Sequence, residues 1–144
     1  MVPAIRKEYN QRFTEEAYQQ FLTDLNHHFP GQLDFRVAET PVFVPKDFTQ
    51  KMLDACAYII DVIRQPAYKQ QSEKAIPPQL CVPNEDSHSH FIAFDFGICR
   101  NEQGAIEPQL IEMQGFPTIF AYQVLIAEIH KKHFWWPAGY DCYL

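Results

Sequence analysis

The chain has 144 residues, 47% of them hydrophobic and 21% charged, with a net charge of −6. A chain this long makes one domain and buries about two thirds of its extended surface, so its core requires neither disulfides nor a structural metal. Twelve basic against eighteen acidic residues, with no polybasic run, exclude a general nucleic-acid binder.

Taken in chain order, residues 1–12 hold no apolar stretch suited to a signal peptide, and no apolar run approaches the ~20 residues of a membrane span. The expected address is cytoplasmic. Thr14 is placed to cap a helix carrying Glu15 and Glu16 in its first turn, where negative charge suits the helix dipole. Ala17, Phe21, Leu25 and Phe29, with Tyr18 and Leu22, form its apolar stripe, and Pro30-Gly31 stops it. Leu33–Val37 and Val42–Val44 read as short strands or extended segments around Pro41. A second helix is expected from Lys46 to Arg64, with Phe48, Met52, Cys56, Ile59, Ile60 and Ile63 facing inward and Pro66 beyond its end.

From Pro66 to His90 the chain turns polar and proline-rich, which predicts mostly loop with a helical turn near Tyr68–Lys74. Phe91–Cys99 and Ile106–Gly115 then read as the two strands of a hairpin, and a helix over Thr118–Lys132 follows. The aromatic run Phe134-Trp135-Trp136-Pro137, with Tyr140 and Tyr143 beyond it, needs either burial or a partner. Cys56, Cys81, Cys99 and Cys142 contain no CxxC pair, so buried free thiols are expected rather than a zinc or redox motif. The fold class that results is α+β, a single domain over 1–144 in which an antiparallel hairpin or sheet carries helices on one face.

The hairpin is the most informative segment. With the turn at Gln103-Gly104, Glu102 faces Ala105, Asp95 falls opposite Glu112, and Ala93 falls opposite Gln114. Side chains alternate along a strand. One face therefore carries Ile92, Phe94, Phe96 and Ile98 with Gln109, Ile111 and Met113, all but one apolar, and is expected to be buried. The other carries Asp95, Glu112 and Gln114. Opposed carboxylates repel, and need a cation, a basic partner or a shared proton. The plainer reading gives each acid a Lys or Arg partner on a solvated face.

Asp95, the turn, and then Glu112-Met113-Gln114-Gly115-Phe116-Pro117 resemble the magnesium-binding segment of ATP-grasp enzymes, in which an acid on one strand is followed a hairpin later by Glu-x-Asn-x-x-Pro. The resemblance covers Phe91–Thr118, with Gln114 standing where the family has asparagine. It implies that Asp95, Glu112 and Gln114 hold Mg2+ against the phosphates of ATP. It also implies that the complete enzyme activates a carboxylate as an acyl phosphate and passes it to an amine or similar nucleophile. The five glycines are scattered, so no phosphate-cradling loop accompanies the segment. The chain is thus expected to be the N-terminal part or a fragment of a circularly permuted ATP-grasp-like protein, inactive alone. Its partners would be a nucleotide, a carboxylate substrate, and the remainder of its own polypeptide or a homodimer partner.

Two other functions compete. One is a non-enzymatic interaction or dimerisation module using the aromatic C-terminal segment. The other is a metal-dependent hydrolase built on His88, His90 and Asp95. His130 and His133 share a helix face near its end, where suiting the helix dipole is the plainer role. His27-His28 invites the same reading.

Overall fold

The computed structural model describes residues 2–86, 89–116 and 119–140. Its elements are α1 (Pro3–Arg12), α2 (Glu15–His28), α3 (Lys46–Ile63), α4 (Pro66–Ser72), β1 (Ala93–Arg100), β2 (Ile106–Gln114) and α5 (Phe120–His133), with 3-10 turns at Glu73–Ala75 and Pro78–Leu80 between α4 and β1. The fold is α+β, and its one sheet among the described residues is the antiparallel pair β1–β2. Two compact units emerge, one from residues 1–45 with 118–144 and the other from residues 46–117. Among the described residues no helix is long and apolar enough to cross a membrane.

In the first unit, α2 begins as its sequence dictates: the Thr14 side chain accepts a hydrogen bond from the Ala17 N–H at 3.2 Å. Tyr18, Phe21 and Leu25, at i, i+3 and i+7, form its buried edge, and Phe21 and Leu25 are 0% exposed. α5 packs against α2 and contributes Ile129 and His130. α1 is a helix that the sequence pattern does not predict. Tyr9 is its one buried residue, half-buried Ile5 packs against the same core, and Pro3 at its start and the exposed Glu8–Arg12 ion pair at 2.8 Å support it.

Residues 33–44 form no strand. Val37 and Phe43 are buried, but the backbone is held by side chains rather than by a ladder. Tyr18 Oη donates to the Val37 carbonyl at 2.6 Å and Tyr9 Oη to the Glu39 carbonyl at 3.1 Å, while the Val2 N–H donates to the Phe43 carbonyl at 2.8 Å. Pro41, which has no N–H, disfavours ladder pairing there. This strap is fastened by tyrosines.

The aromatic tail finds its cover inside the same unit. Phe134 is buried, stacked on Phe13 at 6.0 Å and edge-on to Phe21 at 5.5 Å. The Arg12 guanidinium lies 4.8 Å from the Trp135 ring, and the Trp136 Nε1–H donates to the Tyr140 carbonyl at 2.7 Å. Phe134 is thus buried and Trp135, Trp136 and Tyr140 are half-buried within this unit; Tyr143 lies outside the described residues.

In the second unit, α3 lies against β2 and α4. Phe48 is buried and Met52, Cys56, Ile59, Ile60 and Ile63 are half-buried, on the predicted face. The thiols depart from expectation, for Cys56 is half-buried and Cys81 and Cys99 are exposed, on a 3-10 turn's flank and at the end of β1; Cys142 lies outside the described residues.

Phe134→Ala is expected to cost about 3–5 kcal/mol, because it empties a site enclosed by Tyr9, Phe13, Phe21 and His130. Urea unfolding measures this. An unchanged midpoint would show that the tail does not belong to the core.

Candidate metal site

The hairpin connection is one residue away from the predicted turn. The Asn101 N–H donates to the Ala105 carbonyl at 2.9 Å and the Gly104 N–H to the Asn101 carbonyl at 2.9 Å, with Gly104 at φ +81°. This is a three-residue loop with glycine in the left-handed position, the geometry favoured for that length. The Asn101 side-chain oxygen also accepts from the Gln103 and Ala105 N–H groups at 3.1 and 2.9 Å. Arg100 therefore faces Ile106, not Glu107 as a turn at Gln103-Gly104 requires.

A β-bulge between Asp95 and Phe96 undoes that offset. Phe96 pairs with Leu110, Asp95 with Glu112, and Ile111 is the extra residue. Beyond the bulge the predicted pairs stand: Asp95 opposite Glu112, Phe94 opposite Met113, Ala93 opposite Gln114. Without it, Glu112 would face Phe94 and point to the opposite side of the sheet.

The bulge also overturns part of the predicted apolar face. A Cβ on Gly97 would lie 3.8 Å from Ile111 Cδ1, so Ile111 sits beside the Gly97 side of the strand, and it is 70% exposed. Ile98 and Met113, expected to be buried, are 40% and 39% exposed. Phe94 and Phe96 keep the predicted arrangement, half-buried and stacked with ring centres 6.4 Å apart.

The three candidate ligands converge. Gln114 Nε2 donates to Glu112 Oε1 at 2.6 Å and lies 3.4 Å from Asp95 Oδ2. The amide thus bridges carboxylates that would otherwise only repel. Both acids are exposed and Gln114 is half-buried. Because the ends of a side-chain amide exchange by a half-turn, the same position can offer Oε1 to a cation. Ser89, to which the sequence reading gave no role, ties the entry of β1 to the exit of β2. Its hydroxyl lies 2.6 Å from the Phe91 carbonyl and 3.1 Å from the Gly115 carbonyl.

The other candidates fall elsewhere. His90 Nε2 lies 3.5 Å from Asp86 Oδ2, and His88 is outside the described residues. His130 and His133 do not share a ligand position: the first bonds Tyr9 in the core, while His133 Nε2 lies 2.9 Å from Asp24 Oδ2. Lys132 Nζ reaches that same oxygen at 2.6 Å. The hydrogen bonds from Lys132 and then His133 hold the Asp24 carboxyl down at about 2. This contact between α2 and α5 escaped the sequence reading, because nothing in a lone Asp announces partners 108 and 109 residues away. Among the described residues, no group of three His, Cys, Asp or Glu side chains is placed to hold a metal ion, so any cation on the hairpin relies on the amide of Gln114 as well as the two acids. Compared with known proteins, the chain matches no family model, no curated protein and no solved structure.

Deleting Ile111 should remove the bulge and leave Asp95 opposite Glu112, so thermal stability is expected to hold or rise slightly. A marked drop in melting temperature would mean that the ladder has no extra residue at this position.

Proposed function

We propose that the hairpin is the magnesium-holding element of an ATP-grasp-like, ATP-dependent carboxylate ligase, with Asp95, Glu112 and Gln114 as the protein's ligands. The observation that carries this reading is the convergence of the Gln114 amide on both carboxylates. Hard oxygen donors on one face of the hairpin, few in number and open to solvent, suit Mg2+, which fills the rest of its shell with water and phosphate oxygens. The ion would neutralise phosphate charge during transfer to the carboxylate substrate. The bulge adds support, since it keeps Glu112 beside Asp95 while leaving Ile111 in solvent.

The role proposed for these residues is metal holding alone. The 144 residues by themselves are expected to show no ligase turnover, because ligation also requires a nucleotide, a carboxylate and a nucleophile held in line. Nucleotide and carboxylate are the proposed partners of the complete enzyme. A reducing, cytoplasmic setting suits the free, exposed thiols of Cys81 and Cys99.

Asp95→Asn tests the assignment. It removes one of two neighbouring charges, so the melting temperature should hold or rise slightly, while Mn2+ should raise the melting temperature of the wild type and not of the variant. A variant that melts clearly lower, together with a wild type indifferent to Mn2+, would contradict the metal role and leave a structural pairing instead.

A further inference from the structure

The first unit contains a buried imidazole that the proposed function does not use. His130 is 8% exposed and enclosed by rings: Tyr9 stacked at 5.8 Å, Phe134 at 4.7 Å, and Phe21 and Trp136 edge-on at 5.6 and 5.8 Å. Its Nε2 lies 2.9 Å from Tyr9 Oη, and its Nδ1 is buried without a hydrogen-bond partner. The Tyr9 hydroxyl has one proton, and it lies 3.1 Å from the Glu39 carbonyl, which can only accept. That proton therefore goes to Glu39, Nε2–H donates to Tyr9, and Nδ1 is the bare nitrogen. The result is a chain from the α5 imidazole through the α1 hydroxyl to the backbone of the 33–44 strap.

We propose that Tyr9 and His130 form a latch on the 33–44 strap that acid opens. A second proton must go to Nδ1, which faces no acceptor, so the ring takes it up only when the aromatic box parts. Parting the box withdraws the support of the Tyr9 hydroxyl, and the strap loses its hold at Glu39. Beyond Glu39 the strap is held by the Tyr18 bond to Val37, the Val2 bond to Phe43 and the burial of the Val37 and Phe43 side chains. Burial, which holds the ring down at about 4, agrees with this geometry.

The charged and titratable groups around the latch come from every packed element. They are Arg6 and Tyr9 on α1, Asp24 on α2, Lys131 over Trp136 with Lys132 and His133 on α5, and the Arg36–Glu39 pair on the strap. None of them supplies Nδ1 with a partner. Because the folded ring binds its proton less tightly than an unfolded histidine, which titrates near 6.5, the open population is at its lowest above that pH. The open population should grow about tenfold per pH unit below it.

Two-dimensional NMR between pH 7.5 and 4.5 reads the His130 ring and the backbone amides of Val37, Glu39 and Phe43 in one sample. The expected result is a ring that keeps its neutral shifts well below pH 6.5 and then titrates together with the strap. The exchange contribution to relaxation of the strap amides should rise about tenfold per unit. In His130→Phe the strap should be unresponsive over this range, and in His133→Gln the response should persist. A ring that titrates near 6.5 with the strap unmoved overturns the latch, as does a strap that responds equally in His130→Phe or loses its response in His133→Gln. Should His130→Phe fail to fold, the coincidence or separation of ring and strap midpoints in the wild type decides alone.

Discussion

The backbone hydrogen bond from the Asn101 N–H to the Ala105 carbonyl sets where β1 and β2 begin to pair, and everything on the acidic face follows from that alignment. Asn101 fixes it twice, through its backbone and through a side-chain oxygen that gathers two further N–H groups in the loop. A strand has a period of two, so a slip of one residue exchanges its faces. The loop introduces such a slip, and the bulge at Ile111 cancels it six residues into β2. Asp95, Glu112 and Gln114 share a face because two irregularities compensate, and the hydrogen bonds of Gln114 then draw the acids together.

The first unit is organised on a different principle. Its core is dominated by rings, and tyrosine hydroxyls rather than a β-ladder carry the polar backbone of the strap. A buried carbonyl left without a donor costs about 1–3 kcal/mol, so Tyr9 and Tyr18 satisfy the backbone while filling volume. The tail beginning at Phe134 completes the same cluster. In this unit packing and polar satisfaction fall to the same side chains.

What was legible in the sequence follows from range. The Thr14 cap, the α3 face and the α2 stripe as far as Leu25 are local patterns, and they stand, whereas Phe29 falls past the end of α2 and is exposed. The apolar positions Val2, Ile5, Tyr9 and Phe13 do follow a helical period at α1, but the charged and polar residues between them mask so sparse a stripe. The strap residues Val37 and Phe43 looked strand-like because burial of apolar residues is common to strands and to fastened irregular chain. On the hairpin, Asp95 opposite Glu112 was legible, but the bulge was not: Leu110 and Ile111 are both apolar, and hydrophobic pattern cannot say which is the extra residue. The Gln114 bridge was equally hidden, since it depends on one side chain's rotamer. Contacts between distant positions, Tyr9 with His130 and Asp24 with His133, left no trace in spacing.

The assignment of Asp95, Glu112 and Gln114 as cation ligands is tested most directly by titrating Mn2+ into the isotope-labelled protein and following its paramagnetic broadening residue by residue. The account predicts that the amides of Asp95, Glu112 and Gln114 broaden first, while Cys99 and Glu107, at the far end of the same face, persist. Broadening that begins around Asp86 and His90, or around Asp24 and His133, or that never singles out the hairpin, would contradict it.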